Sequence, residues 1–179
     1  MKYSIIIILI ILVVTACSKP ANKENESFAA QTSTESKSTF NHIYNAYFQL
    51  KDALAKDDGN AAQSAGKELE TAINNLEQSN MNAAQSKTWQ QYQKKLAFDA
   101  EHIGSIDENK HQREHFVSLS KNLYEVMRTF TPDKTVYYQN CPMYNQGKGA
   151  NWLSLEEKIS NPYYGKEMPD CGKTIEILK

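Results

Sequence analysis

An excess of charge of either sign is the first thing this sequence lacks. Its 20 Lys and Arg are matched by 21 Asp and Glu, for a formal net charge of −1. No basic run breaks the balance, so nucleic acid is not an expected partner. Catalytic signatures are missing as well. There is no HExxH, no GxSxG and no Gly-rich loop after a strand. Cys141 and a distant histidine have no third residue nearby to orient them, so hydrolase chemistry is not expected and the chain is not read as an enzyme. Cysteine is scarce, with three in 179 residues. The one unbroken apolar run, Ile5 to Val14, is about half the length a bilayer-spanning helix needs.

That short run has a different meaning. Lys2 precedes it and small residues follow it, which is the layout of a secretory signal. Val14-Thr15-Ala16-Cys17 resembles a bacterial lipobox, whose cysteine is lipidated and becomes the new N-terminus. Residues 1–16 are therefore read as a lipoprotein signal peptide and Cys17 as the lipidation site. The chain beyond faces an oxidising compartment, lipid-anchored to a membrane and facing the periplasm or cell surface. Residues 17–37 are polar with no apolar period and read as a flexible tether. About 20 residues of such coil span roughly 25 Å. Losing Lys2 takes the net charge to about −2. Residues 38–179 suit one domain with a real core.

Four apolar stripes with three-four spacing follow. The first spans about Thr39–Lys56, with Phe40, Ile43, Tyr47, Leu50 and Leu54. The second spans about Asn60–Gln78, with Ala65, Leu69, Ile73 and Leu76. The third spans about Ala83–Gly104, with Trp89, Tyr92, Leu96 and Ile103. The fourth spans about Glu108–Phe130, with Phe116, Leu119, Leu123 and Met127. Short polar breaks between them favour antiparallel neighbours. The expected fold is mainly α: an up-down four-helix bundle with an irregular C-terminal tail carrying short β segments. Pro132 stops the last helix. "KTVYYQ" and "KTIEILK" are the candidate strands, with an irregular segment between them, and the tail tyrosines are expected to pack it onto the bundle.

Two cysteines remain beyond the anchor, and each has a methionine and a proline beside it. Cys141 and Met143 flank Pro142; Met168 and Cys171 flank Pro169. Thiolate and thioether are soft donors that select Cu(I) over hard cations. The spacing is not the CxxC doublet of a zinc site. A disulfide remains open on the same residues: Cys141–Cys171 would close a loop of about 31 residues, worth roughly 3.7 kcal/mol in the chain-entropy account. "HQREH" places His111 and His115 on one helical face, and His102 lies near the end of the preceding helix, within reach across an antiparallel hairpin. These three are additional candidate donors, and bundle-edge histidines on the plainer reading. His42 reads as a surface residue.

"DAEHI", "HQREHFVSLSKNLYEVM", "CPM", "KGANWLS", "ISNPYYGKEM" and "DCG" occur in this order. Together they resemble a bacterial domain of unknown function, found as small exported lipoproteins and at the C-terminus of adaptor subunits of copper/silver RND efflux pumps. The resemblance implies His102, His115, Cys141, Met143, Met168 and Cys171 as metal donors, with copper, as Cu(I), the implied ion. Many relatives carry a histidine directly before the "CPM" cysteine; here that residue is Asn140. Two functions follow as expectations. One is a lipid-anchored envelope protein that binds copper or a similar soft metal, for buffering or for transfer to an efflux-pump adaptor. The other is a non-catalytic interaction module, docking on another envelope protein, in which Cys141–Cys171 is a structural disulfide.

Overall fold

The polar breaks between the stripes are where the helix caps sit. A computed structural model of the chain describes residues 40–179; the segments read as a signal peptide and a tether, and Cys17, lie outside them. α1 is helical over residues 40–55. α2 spans Gly59–Asn74, and the Asp58 carboxylate accepts the Ala61 amide at 2.9 Å. α3 spans Ala83–Ser105 and opens on a reciprocal capping box: Asn82 Oδ1 accepts the Gln85 amide and Gln85 Oε1 accepts the Asn82 amide, both at 3.0 Å. Each cap satisfies amides that have no partner within the first helical turn. α4 spans Asn109–Phe130, just ahead of Pro132.

The four helices share one core. Ile43, Tyr47, Leu50 and Leu54 of α1 meet Leu69 and Ile73 of α2, Trp89, Leu96 and Ile103 of α3, and Phe116, Leu119 and Leu123 of α4, all fully buried. The up-down bundle expected from the stripes is present, with differences at its margins. α2 ends at Asn74, four residues earlier than the stripe implied, and Leu76 reaches the core from the link that follows. Tyr92 is only half-buried. α2 and α3 approach closely where Gly66 faces Gly104: a Cβ on Gly66 would lie 2.8 Å from the Gly104 amide nitrogen.

The tail is more regular than its sequence suggested. β1 (Val136–Cys141) and β3 (Lys173–Leu178) form as expected, but a third strand, β2 (Ala150–Ser154), occupies the segment read as irregular. The sheet is antiparallel in the order β2-β1-β3, with Cys141 opposite Ala150 and Asn140 opposite Lys173. A bulge interrupts the β1–β3 ladder at Tyr138/Gln139. "ANWLS" carries no clean alternation because Trp152, Leu153 and Ser154 are all buried, so the usual period of two is absent.

Aromatic contacts fix the sheet to the bundle. Tyr47 Oη accepts the Leu153 amide at 3.0 Å and lies 2.7 Å from Ser120 Oγ of α4. Tyr163 packs on Phe116, and Tyr138 stacks on Tyr124 with ring centres 4.0 Å apart. Tyr124 Oη donates to Glu176 on β3 at 2.5 Å, and that bond, with partial burial and the charge of the carboxylate, pushes the phenol up to about 12.

Candidate functional site

Cys141 is the last residue of β1 and fully buried; Cys171 lies two residues before β3 and is half-buried. Pairing β1 with β3 therefore brings together two cysteines thirty residues apart. Their Sγ atoms are 3.5 Å apart and unbridged. The contact with Cys141, joined by burial and the neighbouring thiol's charge, raises the Cys171 pKa above the ordinary thiol value. Gly172 allows this approach. Its φ is +151°, and a Cβ there would lie 2.8 Å from the Trp152 ring and 2.9 Å from the Asn140 carbonyl oxygen.

The methionines sit beside the pair along the chain. Met168 is half-buried, and its carbonyl accepts the Cys171 amide at 3.2 Å. Met143 is 54% exposed on the turn after β1, and its carbonyl accepts from Tyr164 Oη at 3.3 Å. Asn161 is a support that sequence reading missed. It is fully buried, donates from Nδ2 to the Cys171 carbonyl at 2.8 Å and accepts the Tyr163 amide at 2.8 Å. Its own amide reaches the Pro169 carbonyl at 2.9 Å. Three bonds from one short side chain and its amide thus hold the Cys171 turn. An Asn before a Pro in a tail reads as an ordinary turn, so only the Asn-Pro pair hinted at it. Asn140, where relatives carry histidine, is part of a polar cross-strand pair: Nδ2 donates to Asn151 Oδ1 at 2.6 Å and to the Ala150 carbonyl at 3.3 Å.

The histidines gather elsewhere. His102 near the end of α3 and His111 and His115 near the start of α4 bring their ring centres to 4.5 Å (His102–His115), 4.8 Å (His111–His115) and 6.5 Å (His102–His111). His115 Nδ1 lies 3.1 Å from Oδ1 of the buried Asp99, and His102 Nδ1 lies 2.9 Å from the Phe98 carbonyl oxygen. Successive residues of α4 turn by about 100°, so the His111/His115 side that meets Asp99 and His102 differs from the side meeting the tail. On that second side Arg113 reaches Pro162, while Glu114 and Val117 share a groove with Tyr144. The histidines contact one another, Asp99 and Phe98, while the two cysteines contact each other. Among the described residues, no three His, Cys, Asp or Glu side chains stand in position to hold one ion together. His42 is exposed, as expected.

Arg113, between the two histidines of α4, is a half-buried connector. Nη2 donates to Asp57 Oδ1 at 2.5 Å and to the Leu54 carbonyl at 2.9 Å, and Nε donates to the Pro162 carbonyl at 2.7 Å. The end of α1, the start of α4 and the tail meet on this one guanidinium.

A four-helix bundle with a small antiparallel sheet, carrying a thiol pair on the sheet and a histidine group on the bundle, defines the class. Residues 43–135 match the family described as a protein of unknown function (DUF3347), over just more than half of the chain, and the chain belongs to that family. The match takes in α2, α3, α4 and most of α1, and ends just before β1. No curated protein and no solved structure matches the chain. Among the described residues, no helix is long and apolar enough to cross a membrane.

Proposed function

We propose that this is an envelope protein, lipid-anchored at Cys17, whose Cys141–Cys171 pair takes Cu(I) or a similar soft ion. It buffers the ion or passes it to an efflux-pump adaptor. The observation that carries this reading is the pair of free thiols 3.5 Å apart at the junction of β1 and β3. Two sulfurs at that separation can both reach one soft ion, and Met168 and Met143 are the nearest thioethers along the chain. One thiol is buried and the other partly open, which gives the ion a supported seat and a way in.

The second reading draws on the same distance. Two thiols that close, in an exported chain, can also oxidise to a staple joining β1 to β3. The domain would then be a non-catalytic module docking on another envelope protein. A thiol count under native, non-reducing conditions separates the two: two free thiols fit the metal reading, and none overturns it. Competition against a Cu(I) chelator completes the test. The reduced protein should withdraw Cu(I), and Met143→Leu/Met168→Leu should withdraw less while melting as the parent does. Equal affinity in the two would leave the methionines as packing.

A further inference from the structure

We propose that His102, His111 and His115 form a second metal site, separate from the thiol pair, for Cu(II) in a square-planar setting. The argument starts with protons. Asp99 is buried, and a buried carboxylate is stable only when hydrogen-bonded. An ionised carboxylate can only accept, so His115 Nδ1 must be the donor across their 3.1 Å contact. The Phe98 carbonyl likewise only accepts, so His102 Nδ1 donates across 2.9 Å. Both rings therefore carry their proton on Nδ1 and keep the Nε2 lone pair for a ligand. An acceptor holding the far nitrogen is the arrangement that fixes tautomer and aim in metal-bound histidines.

Ring spacing bears on which ion geometry three such rings could close into. With metal–nitrogen bonds of about 2.0–2.1 Å, an imidazole centre lies about 3.2 Å from the ion. Two rings at right angles around an ion then lie about 4.5 Å apart, two opposite rings about 6.4 Å apart, and any two rings on a tetrahedral ion about 5.2 Å apart. The observed spacings are 4.5, 4.8 and 6.5 Å. Two short separations and one long one fit three corners of a square with His115 in the middle, and not a tetrahedron. A tetragonal nitrogen set selects Cu(II) or Ni(II), and Cu(II) binds more tightly of the two.

The nitrogens do not yet converge, since no three side chains of the described residues hold a common ion point. His111 has no anchoring hydrogen bond among the described residues, and a turn about its Cβ–Cγ bond re-aims its nitrogens while scarcely moving the ring centre. His102 and His115 are the fixed pair and His111 closes on the ion. Phe98, itself 53% exposed, lies against His102 at 4.1 Å and His115 at 5.8 Å between ring centres. This site goes beyond the thiol reading, because it takes a different oxidation state on different residues.

The test uses the full chain carrying Cys141→Ser and Cys171→Ser, so that no thiol reduces the added metal. Titration with Cu(II) against a chromophoric chelator should show one ion bound. The electron paramagnetic resonance spectrum should be axial, with coupling to more than one nitrogen. His102→Ala or His115→Ala should weaken binding by at least tenfold, and Asp99→Asn by about tenfold to a hundredfold. Circular dichroism keeps the comparison among equally folded variants, and the spectrum of the parent decides alone if a variant does not fold. A spectrum without nitrogen coupling overturns the proposal, as does undiminished binding in His115→Ala. Failure of the Cu(I) competition leaves this result standing, and failure here leaves the Cu(I) result standing.

Discussion

Asp57 shows how much one residue can hold in this molecule. It adopts a φ of +58° at the α1–α2 turn. Its carboxylate accepts from Arg113 at one oxygen and from the Lys166 amide, 3.0 Å away, at the other. Gly165 lies so near that a Cβ there would fall 2.0 Å from Asp57 Oδ1. Partial burial raises the Asp57 pKa, but the bond from Arg113, the Lys166 amide and the two positive charges outweigh it, and the net shift is downward. A carboxyl lowered on folding stabilises the native state above its unfolded value of about 3.9, and that contribution fades as pH falls through the folded value. Asp57→Asn should therefore cost stability at pH 7, by about 1–3 kcal/mol for the loss of charged hydrogen bonds. The difference from the parent should shrink toward pH 2. Melting curves at both pH values check this, and a pH-independent difference would mean the carboxylate's charge is not what matters.

At the scale of elements, the helices carry two kinds of packing. Leu123 is fully buried in the stripe of α4, and Leu123→Ala should cost about 2–5 kcal/mol through lost burial and a cavity. Gly66 shows the opposite limit. Alanine is the better helix former by about 1 kcal/mol, yet its methyl would meet the α3 backbone at 2.8 Å. Overpacking of that kind costs about 1–3 kcal/mol, so Gly66→Ala should lower the urea midpoint rather than raise it. A raised midpoint would show that α2 and α3 can separate freely. These elements were legible because their signals are local: stripes every three or four residues, and capping residues such as Asn82 with Gln85 in the breaks. β2 was not legible because Trp152 and Leu153 are both buried, and sequence alternation registers only a strand with one wet face. The thiol pairing was open to sequence reasoning as a distance-blind possibility.

The whole molecule is a bundle that supports a sheet, and the support passes through few polar atoms. Tyr47 Oη is the most central of them: it accepts the Leu153 amide of β2 and pairs with Ser120 of α4, in a fully buried setting. Tyr47→Phe keeps the ring against Phe116, where the two now stack with centres 5.3 Å apart, and removes only the oxygen. The Leu153 amide and the Ser120 hydroxyl are then buried without that partner, at a cost of about 1–3 kcal/mol. The loss falls at the joint between sheet and bundle, so it should appear as local opening of the sheet before the helices yield. Cys141 reports that opening, because its thiol is fully buried while the sheet is closed. In the reduced protein, a thiol reagent should label Cys141 faster in Tyr47→Phe than in the parent, while helical circular dichroism stays the same. Cys171 is already partly open and should react at a similar rate in both. Unchanged labelling of Cys141 would mean that β1 holds its thiol without the bundle, and that the site is a property of the sheet alone.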